Sequence, residues 1–205
     1  MEPSDTVAAI LMASGFSRRF DGRNKLFIPF RGKPLARYTL ELCAALSFSG
    51  GVYFVTSSDE AAALTADLPN VRTLKNTAPE KGQRESVRLG VEAADAAYYL
   101  FFPCDMPFLN TCTVGRILDE RRQGCIVEPR FRGRPGNPCL FSADFREELL
   151  ALDDGETPRI IKARHSEAIR VVEVSDPLVL EDIDDEETLK RLEEEIRNSE
   201  CGMRN

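Results

Sequence analysis

A turn of small polar residues followed by cations is the first place in the sequence where chemistry is expected. The apolar run Val7–Ala13 ends in Ser14-Gly15-Phe16-Ser17, and Arg19 and Lys25 come soon after. Glycine lets the backbone approach an anion, successive N–H groups can point into one concavity, and Arg and Lys supply positive charge. The stretch therefore predicts a phosphate-binding loop. A solvated basic loop after a tight turn is the alternative, because neither a Walker P-loop nor a dinucleotide-binding fingerprint is complete here.

Carboxylates that are candidates for metal binding occur at two later points in the sequence. Asp105 comes soon after Tyr98–Phe102, an apolar run typical of a buried strand, and Asp182 begins an acidic stretch near the C-terminus. Oxygen ligands beside a phosphate site are the usual way to hold Mg²⁺, so we expect Asp105 to bind it, with Asp182 as a second carboxylate. In the alternative, Asp105 caps the next helix or closes a turn, and Asp184 or Asp185 caps the last helix.

Two loops that contain glycine are candidates for substrate binding. Gly82 precedes a predicted helix, and Ser86 lies about one turn into it, where its hydroxyl can reach a base or ribose. The stretch Arg132–Pro138 contains two glycines and two prolines, which favour a rigid, bent loop of the kind that binds ligands. The alternatives are the ordinary start of a helix and a long surface turn.

Strand-like and helix-like runs alternate along the chain, which predicts a three-layer α/β fold with a mainly parallel central sheet. The predicted strands are 7–13, 52–56, 71–74, 98–102, 126–128 and 169–174, and the predicted helices are 34–46, 59–68, 83–94, 111–122, 143–152 and 185–197. In such sheets ligands bind beyond the carboxyl ends of the strands. We therefore expect the loops 14–25, 75–84, 103–110 and 130–138 to lie together.

Composition predicts one globular domain, residues 1–205, with a sizeable core. The net charge of −7 argues against a general binder of nucleic acid or of membrane surfaces, whereas the cations concentrated between Arg18 and Lys33 suit a small anionic ligand. Six cysteines form no C-x-x-C pair and there is one histidine, so we expect buried, reduced thiols rather than a zinc site. The thiol usage and the lack of a targeting signal lead us to expect a cytoplasmic location.

Six short motifs resemble, in the correct order, those of the nucleotidyltransferases that mature molybdenum cofactor. They are 12–20 with 25–26, 32–35, 86–90, 105–107, 136–138 and 182–184. The turn is most similar to that of the cytidylyltransferase branch, because Ser14 stands where guanylyltransferases carry glycine and leaves less room for a purine. Three features depart from the family pattern: the longer loop at Asp21-Gly22, Asn137 in place of a common histidine, and the order Asp154-Gly155.

The resemblance implies a Rossmann-like nucleotidyltransferase that moves CMP from CTP to a molybdopterin-type molybdenum cofactor and releases pyrophosphate. It also implies dependence on Mg²⁺ and a partner hydroxylase of the xanthine dehydrogenase type that receives the product. Together with the residue patterns it assigns catalysis to Arg19, Lys25 and Asp105, nucleotide binding to Ala13, Ser14, Gly15, Phe16, Ser17, Lys25, Gly82 and Ser86, acceptor binding to Gly136, Asn137 and Pro138, and metal binding to Asp105 and Asp182.

Other functions remain open on the sequence alone. A guanylyltransferase, or a nucleotidyltransferase acting on a sugar or alcohol phosphate, would carry the same nucleotide loop. A chaperone that binds molybdenum cofactor without catalysis would not need Arg19, Lys25 and Asp105 together. A nucleotide-binding regulator is a third possibility.

Overall fold

The computed structural model describes residues 5–15 and 24–202, and the side chains of the last helix as far as residue 195. In this part of the chain an eight-stranded sheet has helices packed on both faces, which confirms the predicted α/β class. The strands are β1 (Val7–Ala13), β2 (Pro29–Phe30), β3 (Lys33–Pro34), β4 (Val52–Thr56), β5 (Val71–Lys75), β6 (Tyr98–Pro103), β7 (Ile126–Phe131), β8 (Arg134–Pro135), β9 (Cys139–Ser142) and β10 (Ile169–Glu173). The α-helices are α1 (Leu35–Leu46), α2 (Asp59–Ala62), α3 (Gln83–Ala93), α4 (Thr111–Asp119), α5 (Arg146–Leu150), α6 (Arg159–Arg164) and α7 (Glu186–Gly202).

The strand order places the carboxyl ends of most strands at one edge of the sheet. The order is β10-β7-β9-β6-β1-β4-β5, with β8 paired to β7, while β2 and β3 form a separate hairpin. Strand β1 pairs in parallel with β4 and β6, β4 with β5, and β7 with β10. Strand β9 runs antiparallel to both β6 and β7, so these two point the same way. The loops that follow β1, β5, β6 and β7 therefore leave the sheet on the same side.

Two apolar clusters on opposite faces of the sheet form most of the core. One joins the sheet to α1 and α4, and the other joins it to α3 and α5. Strand β1 contributes to both, as expected for a run that is buried on both faces. A third cluster packs the β2–β3 hairpin against α7 through Phe30, Ile183 and Leu192. It brings the acidic stretch before α7 close to the central loops. No helix in the described residues is both long and apolar enough to cross a bilayer.

Five predicted elements differ from the structure, one of them the last helix, which was predicted over 185–197 and extends to Gly202. The predicted helix 59–68 is wrong in its second half: α2 ends at Ala62 and a 3₁₀ turn follows, in which the Thr65 hydroxyl donates to the Ala62 carbonyl (2.8 Å) and competes with helical bonding. The predicted helix 143–152 is a 3₁₀ turn followed by the shorter α5, and the predicted helix 111–122 ends at Asp119. The predicted strand 126–128 extends to Phe131. Proline has no N–H to donate, but Pro129 does not end this strand, because it lies between the residues paired with β9 and those paired with β8.

Candidate nucleotide and metal site

The end of β1 forms the wall of a cavity of about 300 Å³, which we call the first cavity. Its lining includes Met12–Gly15, Lys25, Gly82, Gln83, Ser86 and Asp105. The Ser14 hydroxyl donates to the Val55 carbonyl of β4 (3.2 Å), so this buried side chain is fixed against the neighbouring strand. Gly15 is exposed, and a Cβ added there would meet no described atom within 4 Å. Among the described residues, none occupies the space beside Gly15.

Buried polar side chains form part of the wall between β1, β4 and α3. The Thr56 hydroxyl donates to the Ala13 carbonyl (3.3 Å), and the Asn76 side-chain amide donates to the Ser86 hydroxyl (3.4 Å). Thr56, Asn76 and Ser86 are each at most 2 % exposed. Buried hydroxyl and amide groups are retained where they are hydrogen-bonded, and this network fixes the place where Ser86 lines the first cavity.

A lysine joins two carboxylates across a long sequence separation. The Lys25 ammonium donates to Asp184 Oδ1 (2.9 Å) and to Asp105 Oδ2. Burial works against the charge of Lys25, but the two carboxylates outweigh it and raise the pKa of this ammonium. Asp105, which follows β6, is 7 % exposed, and its carbonyl accepts a hydrogen bond from the Ile183 N–H (2.9 Å). That backbone bond holds the stretch before α7 beside the end of β6.

Three acidic side chains in this group fit a hard divalent cation. Asp105, Asp182 and Asp184 each offer a carboxylate oxygen, and these atoms lie within 4.8 Å of one another. Asp105 Oδ1 is buried and has no hydrogen-bond partner in the described part of the chain. Such an oxygen is costly unless a donor or a cation meets it. Partial loss of solvent, followed by the charges of Asp105 and Asp184, raises the pKa of Asp182. Oxygen ligands of this kind suit Mg²⁺.

A larger cavity of about 820 Å³, the second cavity, lies beside the first and reaches toward β7, β9 and α6. Gly136 and Asn137 line it, whereas Pro138 is buried and is not part of the lining. The described lining contains three cations, Arg134, Arg159 and Lys162, and one carboxylate, Glu128. Charge thus favours an anionic occupant.

Met12 and Gln83 line both cavities and mark the boundary between them. Gln83 is the first residue of α3, directly after Gly82, whose φ of +79° is strained for other residues. The Gln83 amide donates to the Met12 sulfur (3.2 Å), a weak acceptor. A group bound in one cavity can meet a group bound in the other at this boundary.

The structure gathers most of the predicted site residues, which come from distant parts of the sequence. Ala13, Ser14, Gly15, Lys25, Gly82, Ser86 and Asp105 line the first cavity, Gly136 and Asn137 line the second, and Asp182 lies beside Asp105. Phe16, Ser17 and Arg19 lie outside the described residues. Pro138 does not reach either cavity, because β9 begins at the next residue and carries Pro138 into the core. Asp185 caps α7 by accepting from the Thr188 N–H (2.8 Å), as the alternative for this stretch proposed.

Several residues of this region were not predicted from the sequence. Asn76, Gln83, Glu128 and Lys162 carry no motif, and only the fold brings them together. Asp184 was considered as a helix cap, yet its carboxylate binds Lys25. Four of the described cysteines are buried thiols, as predicted, but Cys112 is exposed at the start of α4.

Comparisons with known proteins find sequence relatives and a solved structure of similar fold. A probable molybdenum cofactor guanylyltransferase of Haloferax mediterranei is 31% identical over 129 residues, which span 62% of this chain and 61% of that protein. The molybdenum cofactor guanylyltransferase of Ralstonia pickettii is 25% identical over 181 residues, which span 81% of this chain and 86% of that protein. A nucleotidyl transferase structure from Methanothermobacter thermautotroptrophicus superposes with a TM-score of 0.80 at 20% identity, covering 95% of this chain and 99% of the other.

The match to a family extends over most of the sheet. Residues 9–169 match the family described as the MobA-like NTP transferase domain, so the match begins in β1 and ends at the start of β10. It includes the first cavity, the second cavity and Asp105, while the stretch that carries Asp182 and Asp184 lies beyond it. This chain belongs to the MobA-like NTP transferase domain family.

Proposed function

We propose that this protein transfers a nucleotidyl group from CTP to the terminal phosphate of a molybdopterin-type molybdenum cofactor and releases pyrophosphate. The observation that carries the proposal is the pair of adjoining cavities, one lined by the predicted nucleotide loop and the other by an excess of cations. The relatives named as molybdenum cofactor guanylyltransferases support the acceptor class.

In the proposed reaction an oxygen of the acceptor phosphate attacks the α-phosphorus of CTP. A new P–O bond forms as the bond from the α-phosphorus to the bridging oxygen breaks, and pyrophosphate takes the electron pair. The nucleophile is already an anion, so the protein supplies positioning and charge neutralisation rather than a base. The boundary at Met12 and Gln83 is where the two phosphates would meet.

Lys25 and the backbone around Gly15 act on the phosphates in this account. No described side chain fills the space beside Gly15, where we place a phosphate close to the backbone, and Lys25 neutralises charge that grows on the leaving group. Arg19 remains a predicted second cation. Asp105, Asp182 and Asp184 would hold Mg²⁺, which supplies Lewis-acid stabilisation of phosphate oxygens when it is bound.

The preference for CTP is supported by Ser14. Its side chain lies on the wall of the first cavity, where the hydrogen bond to the Val55 carbonyl holds it, and it takes up space that glycine would leave to a larger base. GTP is the second candidate, and the observation in its favour is that the two relatives described above are named as a probable guanylyltransferase and a guanylyltransferase.

The test is pyrophosphate release by purified protein with Mg²⁺ and molybdenum cofactor, comparing CTP with GTP. We expect release with CTP and little with GTP, and Ser14→Gly should raise the rate with GTP relative to CTP. Release with GTP alone would keep the transfer reaction and overturn the role of Ser14. Release with neither nucleotide, although both bind, would contradict the proposed acceptor.

A further inference from the structure

A buried carboxylate on β7 faces the second cavity and is not used in the proposed transfer. Glu128 is 2 % exposed, and both of its oxygens accept hydrogen bonds from cations. Oε1 accepts from Arg130 Nε (2.8 Å), and Oε2 accepts from Lys162 Nζ (2.7 Å). A carboxylate so deeply buried is retained in proteins when it is paired, and here the pairing fixes where the Lys162 ammonium lies.

Lys162 presents its ammonium to the second cavity from the side of α6. The side chain is 16 % exposed, and besides Glu128 the ammonium contacts the sulfur of Cys139 (3.5 Å), which also lines the cavity. Burial opposes the charge, but the contacts with Cys139 and Glu128 raise the pKa of Lys162, so it stays an ammonium. Glu128 and Cys139 use two of its three N–H donors, which leaves one donor for an occupant of the cavity.

The charged side chains of the second cavity indicate the charge of the group that binds there. Arg134, Arg159 and Lys162 line the cavity, and the one carboxylate in the described lining, Glu128, is already paired on both oxygens. An anionic group would therefore gain charge-assisted hydrogen bonds at this wall without meeting an unpaired carboxylate.

We infer that Lys162, held in place by Glu128, binds an anionic group of the acceptor substrate. Lys162 is then a binding residue of the second cavity, and Glu128 is a positioning residue that acts through it. This inference rests on the proposed function, since it assigns the second cavity to the acceptor. It names two residues, on β7 and α6, that no motif of the sequence marks.

The experiment compares Lys162→Met with the conservative Lys162→Arg, with Glu128→Gln, and with Arg164→Met as a matched control. Arg164 lies on the same helix, but its side chain is 55 % exposed and lines neither cavity. Isothermal titration measures molybdenum cofactor binding without nucleotide, and separate titrations measure CTP binding. Thermal melts report the stability of each variant, because a purely structural ion pair between β7 and α6 would change stability alone.

We expect Lys162→Met to weaken cofactor binding by about tenfold to hundredfold, the scale of a lost hydrogen bond to a charged group. Lys162→Arg should restore most of that affinity, Glu128→Gln should show an intermediate loss, and CTP affinity should stay unchanged throughout. Arg164→Met should bind the cofactor like the parent protein. If the parent protein binds the cofactor and Lys162→Met binds it equally well, the inference is overturned and the proposed function stands. If the parent protein itself does not bind the cofactor, both are overturned.

Discussion

The substitution Asp105→Asn separates a functional carboxylate from a structural one. Asp105 is buried, touches Lys25, and lies with Asp182 and Asp184 in one acidic group. Asparagine keeps the shape of the side chain and removes its charge. We expect pyrophosphate release to fall by at least about 100-fold, the scale measured when an electrostatic stabiliser is removed from an active site, while the stability of the metal-free protein hardly changes.

The small effect on stability follows from opposing electrostatic contributions. The carboxylate oxygens lie within 4.8 Å of one another, and at an effective dielectric constant of about 20 each pair of like charges at that range costs roughly 3 kcal/mol. Losing Asp105 relieves two such repulsions. It also loses the attraction to Lys25, about 5 kcal/mol at contact distance on the same scale. Solvent screens the repulsions, since the Asp184 side chain is 45 % exposed. The sum is within about 1 kcal/mol of zero, or about 4 °C in Tm for a chain of this length.

Three measurements test the expected effects of Asp105→Asn. Thermal melts in EDTA give the stability, titration with Mn²⁺ gives the metal affinity, and pyrophosphate release gives the activity. The matched control is Asp176→Asn, because Asp176 is exposed and caps a 3₁₀ turn through the Leu178 N–H (2.9 Å), a role that asparagine fills equally well. A loss of more than about 10 °C in Tm with normal metal binding would show that Asp105 is a structural residue and not a metal ligand.

Three further substitutions have defined outcomes. Lys25→Met should lower kcat for pyrophosphate release by about 100-fold. It should also raise the Mn²⁺ affinity of the nucleotide-free protein, because the ammonium that binds Asp184 is gone. If kcat and Mn²⁺ affinity were both unchanged, Lys25 would not be part of the site. Gly15→Ala should leave Tm unchanged, since no described atom lies within 4 Å of the new Cβ, but should weaken CTP binding in a calorimetric titration; normal binding would mean that no phosphate approaches Gly15. Gly90→Ala should destabilise the protein by about 1–2 kcal/mol in urea unfolding, because its Cβ would lie 2.4 Å from Ile10 Cγ2; a stabilised variant would show that α3 shifts freely from β1.

Much of the fold could be predicted from periodicity and apolar runs. Val7–Ala13, Val52–Thr56 and Tyr98–Phe102 are central strands, and runs buried on both faces leave a clear apolar pattern. Strand β9 was missed because its four residues follow a loop rich in proline and glycine. Helix α6 was missed because its six residues present one fully buried side chain, Ile161. Short elements depend on tertiary packing more than on local pattern.

The part of the site that lies at the carboxyl ends of the strands could be predicted from the sequence. Gly15, Ser86 and Asp105 follow or face strands whose carboxyl ends share an edge, so the topology alone brings them together. The contact of Lys25 with Asp184 depends on how the β2–β3 hairpin packs against α7, which no local pattern encodes. The pair Glu128 and Lys162 likewise arises only from the packing of α6 against β7.

Intact mass analysis of the reaction product shows which nucleotide, if any, is joined to the cofactor. Molybdenum cofactor is incubated with equal concentrations of CTP and GTP, Mg²⁺ and the protein, and Asp105→Asn serves as the blank. We expect a cytosine dinucleotide of the cofactor together with pyrophosphate, formed at least about 100-fold more slowly with Asp105→Asn. A guanine dinucleotide would contradict the proposed preference for CTP. If the cofactor were recovered unmodified after incubation with the unsubstituted protein, nucleotidyl transfer to this acceptor would be contradicted.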